Sequence, residues 1–277
     1  MKNDSIYFCR CIFKSEMKLF CLLLSGLLFS PHAFSQENYE IEVYSSETMN
    51  KGIFSAELHS NYTPKGADPE NDVRPSENAF HETAEFIYGA GNNTEIGFYI
   101  FTNIHSAYGW QWVGDHLRAK VRAPEKWKLP VGLSLSGEFG YQRREYSADI
   151  WNMELRPIID KDFKRIYFSF NPVLGKSFKG VGAGSGFDFE PCFKFSIHAT
   201  KKMDIGAEYY GATGEIFRPD DAALQQHALY AAFDLKPNER WEFNAGAGWG
   251  LTKATDGLVI KFIAGRKIGK IKSEAEK

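Results

Sequence analysis

Residues 187–199 read FDFEPCFKFSIHA, with a bulky apolar residue at every second position from Phe187 to Ile197. Polar or small residues occupy the positions between them, from Asp188 to His198. Successive side chains of an extended chain point to opposite faces, so the pattern predicts a β-strand with one apolar and one polar face. A strand needs about 9 to 11 residues to cross the hydrocarbon of a bilayer. The stretch is long enough, and it indicates one strand of a transmembrane β-barrel.

The same alternation recurs along most of the chain. It predicts strands at 51–62, 81–88, 94–101, 116–123, 129–141, 150–159, 165–174, 187–199, 204–210, 225–235, 241–251 and 257–268. An even strand number returns both chain ends to one side, and the connections alternate between short and long except after strand 11, as in outer-membrane barrels. The predicted fold class is therefore all-β, an antiparallel up-and-down transmembrane β-barrel of about 12 strands.

Composition excludes several other classes of protein. The chain has 277 residues, 43% of them hydrophobic, and its 33 basic side chains nearly balance 35 acidic ones. No basic tract of the kind that binds nucleic acid is present, so no nucleic-acid partner is expected. Apart from the leader, no run approaches the 18 or so apolar residues of a spanning helix. A barrel remains compatible with this modest hydropathy because its membrane signal lies in alternation.

The first residues carry an export signal. Lys18 precedes an apolar stretch at 19–29, and the small residues Ala33 and Ser35 mark a cleavage site. Met17 is an alternative start. The predicted organisation is a signal peptide at 1–35, a periplasmic N-terminal segment at 36–50, the barrel at 51–268 and a polar C-terminal tail at 269–277. The expected location is the outer membrane of a Gram-negative bacterium, reached through a cleaved signal peptide.

Alternation alone also fits a secreted soluble sandwich or barrel, in which the apolar face would point inward. Two features favour lipid on the apolar side. The polar face contains many glycines and charges of both signs, which suits a crowded polar lumen. The apolar face also has aromatic residues near several strand ends, where amphipathic rings would meet the bilayer interfaces. These are Tyr62, Tyr88, Tyr141, Trp151, Trp241 and Trp249.

The charged residues of the polar face are the candidate lumen and solute-contact residues. They are Glu57, His59, Glu85, Glu95, His116, Arg118, Lys120, Arg122, Glu138, Glu154, Arg156, Asp188, Glu190, Lys194, Glu208 and Glu242. The basic row His116 to Arg122 on one strand is the best candidate for anion contact, because four cations together need counter-charges. The alternative interpretation is that these charges only pair with one another and fill a narrow barrel.

The first functional hypothesis is a channel or transporter for small solutes with a polar charged lumen. The second is an outer-membrane enzyme acting on lipids, but His59 and Ser60 point to opposite faces, and His227, the other candidate base, is a single histidine of a kind that is more often structural. The third is a structural or adhesive barrel whose loops 63–78 and 211–224 meet partners. The scattered histidines lack metal-ligand spacing, and no cofactor is predicted. Cys192, alone after removal of the leader, is expected to be a small space-filling residue.

The chain resembles the transporter barrels of Gram-negative outer membranes grouped with the phenol-degradation-associated MetA-like proteins. The resemblance rests on Val43-Tyr44, on 57–62 with Gly52 ahead of it, and on 262–266. It implies an outer-membrane barrel with outer-membrane lipid, the barrel-assembly machinery and an unknown small-molecule solute as partners. Barrels of this kind commonly end on an aromatic residue, whereas here Ile268 is followed by the polar tail, so Phe262 or an internal signal would serve in assembly.

Overall fold

The structure, a computed structural model, describes residues 38–69 and 71–270. The predicted signal peptide and most of the predicted C-terminal tail lie outside these residues. The strands are β1 (Phe54–Lys65), β2 (Ala79–Gly89), β3 (Thr94–His105), β4 (Gly109–Arg122), β5 (Gly132–Gln142), β6 (Asp149–Phe163), β7 (Ile166–Gly180), β8 (Asp188–His198), β9 (Met203–Ala212), β10 (Gly214–Glu215), β11 (Arg218–Pro219), β12 (Gln226–Asn238), β13 (Trp241–Gly250) and β14 (Leu258–Ile268). Among the described residues, no helix has the length and apolar character to cross a membrane.

Twelve of these strands form one closed antiparallel barrel. Each long strand pairs with its neighbours in the chain, β14 pairs with β1, and β8 pairs with β9. The two-residue strands β10 and β11 form a small hairpin in the connection from β9 to β12, which themselves pair directly. Closure gives every long strand two partners, so no edge leaves a row of backbone groups unpaired. The predicted fold class is confirmed.

The distribution of side chains is the reverse of that in a soluble barrel. On β8, Phe195 and Ile197 are 47% and 51% exposed, whereas Asp188 and Ser196 are 2% and 1% exposed. The same contrast runs around the wall, with leucine, isoleucine and phenylalanine outside and charged or hydroxyl side chains inside. Water does not favour such an exterior, and a hydrocarbon layer does. The soluble sandwich or barrel with an apolar core is therefore not the fold of this chain.

The two ends of the barrel differ in their connections. At one end, here named the turn end, the strands are joined by 90–93, 123–131, 164–165, 199–202 and 239–240. At the other, the loop end, they are joined by 66–78, 106–108, 143–148, 181–187, 213–225 and 251–257. The chain enters β1 and leaves β14 at the turn end. The predicted alternation of short and long connections holds for most of the barrel.

Two connections differ from the sequence prediction. The region 102–115 was expected to contain a loop, but β3 and β4 continue through it and are joined only by 106–108, with Gly109 at φ +67°. The glycine-rich stretch after Leu174 was expected to be a loop, yet β7 continues to Gly180. Gly175 pairs with residues of both neighbouring strands, so two hydrogen-bonded ladders offset the weak strand preference of glycine. These two length predictions were wrong.

The N-terminal segment lies inside the barrel. Residues 38–50, here named the lumen segment, were predicted to sit at the periplasmic end. In the structure Ile41, Val43 and Ser46 are at most 4% exposed, and they contact strands on different sides of the wall. The segment begins near the loop end and reaches the turn end at residue 50. Nothing in the sequence of this segment indicated a position inside the barrel.

Candidate functional site: the barrel lumen and its N-terminal segment

All sixteen candidate lumen residues follow the inward-facing alternation of their strands. Ten are buried, namely His59, Glu85, Glu95, His116, Arg118, Lys120, Glu138, Arg156, Asp188 and Glu208. Six are half-buried, namely Glu57, Arg122, Glu154, Glu190, Lys194 and Glu242. Period-2 alternation fixes this orientation, since a strand in register cannot present the same residue to both faces. The lumen is thus lined by charges of both signs.

The basic row of β4 is matched by carboxylates on the neighbouring strands. Arg118 donates from Nη1 to Glu95 Oε1 at 2.8 Å and from Nη2 to Glu85 Oε1 at 2.6 Å. Lys120 Nζ lies 3.6 Å from the same Glu95 oxygen. One guanidinium thereby connects β4 with β3 and β2 across the inner wall, which is the forked geometry that arginine supplies.

The two ends of this row pair differently. His116 Nδ1 lies 2.5 Å from Glu138 Oε1, and both side chains are buried. Arg122 is 4.0 Å from Glu125, a largely exposed residue of the 123–131 connection, so that pair is weak. Among the described residues, most cations of the basic row on β4 are paired with carboxylates of the protein itself. It is not an open anion-binding surface in this arrangement.

A second group of charges lies across the lumen on β8, β9, β12 and β14. Lys194 Nζ is 3.1 Å from Glu208 and 2.8 Å from Asp234. Lys261 also donates to Glu208, and the Lys261 side chain has no solvent exposure. Buried charges are tolerated only when paired in this way. The group ties four strands together from the inside.

The lumen segment is held at its middle by polar side chains of β7. The Tyr44 backbone N–H donates to Asn171 Oδ1 at 2.8 Å, and Asn171 Nδ2 donates back to the Tyr44 carbonyl at 3.1 Å. Ser169 Oγ donates to the same carbonyl at 2.7 Å. The side-chain amide replaces the strand partner that an isolated extended segment lacks. The Tyr44 ring lies 4.9 Å from the Arg156 and 5.2 Å from the Arg118 guanidinium carbon, within cation–π distance.

At the loop end, one carboxylate joins the lumen segment to two loops. Asp256 accepts hydrogen bonds from Asn38 Nδ2 at 2.6 Å, from the Ala67 N–H at 2.7 Å and from Ser76 Oγ at 2.7 Å. Asn61 Nδ2 on β1 donates to the Asn38 carbonyl at 2.8 Å. The start of the described segment is thereby fixed to loop 66–78, to loop 251–257 and to the wall.

At the turn end, acidic residues of the wall accept backbone N–H groups of the segment. Asp160 accepts the Ser46 N–H at 2.8 Å and the Ser46 hydroxyl at 2.6 Å. Glu95 Oε2 accepts the Met49 N–H at 2.6 Å. Lys120 Nζ donates to the Glu47 carbonyl at 2.5 Å. Almost every anchor of the segment joins its backbone to a wall side chain. The segment is therefore bound inside the barrel and is not one of the strands of the sheet.

Apolar contacts supplement these polar anchors. Ile41 and Val43 of the segment belong to a buried cluster with wall residues on β7, β8, β9, β12 and β14. The wall members are Val173, Cys192, Tyr210, Ala228, Tyr230 and Val259. Cys192 is a buried free thiol in this cluster, as the prediction of a space-filling role requires. Inward-facing apolar residues are thus concentrated where the segment passes.

Space remains at the turn end. A cavity of about 870 Å³ lies there between the lumen segment and the wall. Its lining includes Glu57, Lys194, Asp234, Glu242 and Lys267, so it contains acidic and basic groups together. A cavity of this volume can hold a small polar solute with its water.

The loop end carries a cluster of cationic and aromatic side chains. The Arg74 guanidinium lies 4.1 Å from the Tyr108 ring centre and donates to the Tyr146 hydroxyl at 2.8 Å. Arg143 donates to Glu145 at 2.9 Å, and this hydrogen bond lowers the pKa of the exposed Glu145 carboxyl. The Arg74–Tyr146 hydrogen bond holds loop 66–78 against loop 143–148.

Several residues that shape the lumen were absent from the sequence candidates. Lys261 could have been found, because it lies between the outward-facing Ile260 and Phe262 and must therefore point inward. Asp160 and Asn171 could have been found only with longer strand boundaries or by including uncharged residues. Glu42 and Tyr44 could not, since nothing in the alternation of an isolated extended segment says that it lies inside a barrel.

No protein-family model matches the chain, and no curated protein matches it. Solved structures do. An outer membrane channel from Pseudomonas putida F1 aligns with TM-score 0.57 and 8% identity over 83% of this chain and 100% of that chain. The KdgM porin aligns with TM-score 0.48 and 9% identity over 78% and 99%, and the outer membrane protein Omp33 of Acinetobacter baumannii with 0.45 and 10% over 79% and 99%. The fold is that of an outer-membrane β-barrel.

The histidines considered for lipid hydrolysis have other partners. His59 Nε2 lies 3.2 Å from Glu85, and Ser60, on the opposite face, donates to Glu82. His227 contacts the Tyr209 hydroxyl at 2.6 Å and the Gln225 amide oxygen at 3.1 Å. Neither histidine has a serine hydrogen-bond partner among the described residues, so the nucleophile–base pair that hydrolysis requires is not formed by them.

Proposed function

We propose that this protein is an outer-membrane channel for small polar solutes, closed in the described arrangement by its own lumen segment. The observation that carries the proposal is the passage of residues 38–50 through a charged lumen. A polar interior can conduct water and ions only if a continuous path exists, and the segment occupies that path with buried residues such as Ile41. Movement of the segment is therefore the step that would open the channel.

The way in which the segment is held supports a movable closure. Its anchors are hydrogen bonds from side chains such as Asn171 and Asp160, together with one apolar cluster. Each such hydrogen bond contributes only about 0.5–1.5 kcal/mol. A strand of the sheet, by contrast, cannot leave without breaking two ladders. The segment can leave the lumen without loss of the barrel.

The proposal includes the location and the orientation. The apolar exterior suits the hydrocarbon of a bilayer, and bacterial barrels place short turns in the periplasm and longer loops outside. The turn end would face the periplasm, and the 870 Å³ cavity would open towards it. Export through a cleaved signal peptide and insertion by the barrel-assembly machinery are part of the same proposal. So is a relation to the phenol-degradation-associated MetA-like transporter barrels, supported by 57–62 and 262–266.

Planar-bilayer conductance tests the channel. The chain beginning at residue 36 would be compared with a deletion variant that lacks 38–50. We expect the deletion to raise single-channel conductance several-fold, because it removes the groups that fill the lumen. Heat-modifiable gel mobility would show that both proteins are folded barrels.

A folded deletion variant that conducts no better than the full chain would contradict the proposal. That result would favour the structural or adhesive barrel, whose lumen is permanently filled. A control deletion at the loop end, removal of 216–218 from the tip of the small hairpin of β10 and β11, should leave the conductance unchanged, since these residues are exposed.

A further inference from the structure

Four potential metal ligands converge where the lumen segment meets the wall. One ring nitrogen of His59 and one carboxylate oxygen from each of Glu42, Glu57 and Glu85 all lie within 4.8 Å of one another. Two ligands that are each about 2.1 Å from one ion lie at most about 4.2 Å apart. In a four-coordinate tetrahedral site the same ion–ligand distance places each pair of ligands about 3.4 Å apart, so closing the group around an ion needs contractions of up to about 1.4 Å through side-chain rotation.

The carboxylates of this group are not all neutralised by protein cations. Glu85 directs Oε1 to Arg118 and Oε2 to His59. Glu57 accepts a hydrogen bond from Ser55, but neither Glu57 nor Glu42 forms a direct ion pair with any residue that the structure describes. Glu57 also stands directly opposite Glu85 in the ladder of β1 and β2. Like charges at such a position repel each other unless something lies between them.

His59 provides a second and independent observation. Its side chain has no solvent exposure, and its Nδ1 atom has no hydrogen-bond partner within the described part of the chain. An unpaired polar atom at this depth costs free energy comparable to a lost hydrogen bond. A buried imidazole that has one nitrogen without a hydrogen-bond partner, next to Glu42 and Glu57, which form no direct ion pair among the described residues, is an arrangement that suits a metal ion.

We propose that Glu42, Glu57, His59 and Glu85 bind one divalent first-row transition-metal ion, such as Mn²⁺ or Zn²⁺. Three carboxylates with one imidazole form a mixed oxygen and nitrogen donor set. Ca²⁺ and Mg²⁺ prefer oxygen ligands alone, whereas Mn²⁺ and Zn²⁺ accept both donor types. Arg118, which donates to Glu85, is the outer partner that orients one of the ligands.

The bound ion would join two parts of the molecule. Glu42 belongs to the lumen segment, whereas Glu57 and His59 lie on β1 and Glu85 lies on β2. The site therefore forms only when the segment is inside the barrel. Metal binding stabilises the state in which the lumen segment is inside the barrel, because an ion that binds only one state stabilises that state.

Uptake of Mn²⁺ measured by electron paramagnetic resonance tests the site, since the signal of free aqueous Mn²⁺ disappears on binding. The tag-free chain from residue 36 would be refolded from inclusion bodies, so that no lipopolysaccharide contributes bound cations, and stripped with a chelator. We expect one Mn²⁺ per barrel, displaced by Zn²⁺. Glu57→Gln and His59→Gln should each weaken binding by about tenfold or more.

Glu82→Gln is the matched control, because Glu82 lies on β2 with Glu85 but points to the opposite face of the wall. It should bind Mn²⁺ as the unaltered protein does, and gel mobility would show that every variant is folded. A wild-type barrel that takes up neither ion at millimolar concentration would overturn the proposal. So would binding that Glu57→Gln and His59→Gln leave intact. If Glu42→Gln binds Mn²⁺ with unchanged affinity, the lumen segment does not contribute a ligand.

Discussion

Lys261 shows at the scale of one residue how the lumen contributes to stability. Its ammonium group is fully buried, pairs with Glu208 and donates to the Ile41 carbonyl at 3.0 Å. Replacement by methionine would leave Glu208 with Lys194 as its remaining cation. Removal of one partner of a buried pair typically costs about 3–5 kcal/mol. We expect Lys261→Met to lower the free energy of unfolding by about that amount in urea titrations followed by tryptophan fluorescence.

Lys267→Met provides the control at the same scale. Lys267 also lies on β14 and pairs with Glu242 at 3.2 Å, but both side chains are about 30% exposed. Pairs open to water contribute about 0–1 kcal/mol. Equal stability losses in the two variants would show that the buried ammonium has no special role.

At the scale of an element, the lumen segment illustrates what a sequence pattern cannot express. Ile41 and Val43 alternate with Glu40 and Glu42, a pattern that favours an extended chain. Its partners, however, are side chains such as Asn171, which lies on β7 far along the chain. Side-chain anchors impose no period on the segment, so alternation in 38–50 carries no information about its location. The candidate metal ligands share this limitation, because Glu42 joins Glu57 only through that location.

The middle anchor of the segment gives an element-scale prediction. Asn171→Ala combined with Ser169→Ala removes three hydrogen bonds to the Tyr44 backbone. At about 0.5–1.5 kcal/mol each, their loss should raise the population with the segment outside the lumen about tenfold or more. Glutamyl endopeptidase would report this population, because it can cleave after Glu40 or Glu42 only when they leave the barrel. Mass spectrometry would locate the cut.

Ser177→Ala is the comparison for that experiment. Ser177 is also a buried residue of β7, but its hydroxyl donates to Asp149 of the wall and does not contact the segment. The comparison variant should be cleaved at the wild-type rate. If the double variant is cleaved no faster than this control, the polar anchors do not hold the segment in place.

At the scale of the whole molecule, strand number and face orientation could be predicted from the sequence, and loop length could not. The alternation around Phe195 and Ile197 fixes both the conformation and the phase of β8, because one shift of register would turn phenylalanine into a charged lumen. The start of β4 and the end of β7 were misjudged, since ladders from neighbouring strands extend them through glycines, which disfavour strands in isolation. The alternation within each strand predicts which charged residues face the lumen. Which of them pair with one another depends on contacts between strands, which the alternation does not show.

The apolar exterior gives the whole-molecule prediction. Leu117 lies near the middle of β4, faces outward and is 57% exposed. On a water-facing surface Leu117→Arg would change stability little, but at the centre of a bilayer it costs about 2–4 kcal/mol. We therefore expect the variant to fold and insert poorly into phospholipid vesicles, as measured by the heat-modifiable gel shift. Trp127→Arg, equally exposed at 58% but in the 123–131 connection, should insert normally because it lies beyond the hydrocarbon. Equal insertion of the two variants would mean that the leucines and phenylalanines of the wall do not contact lipid.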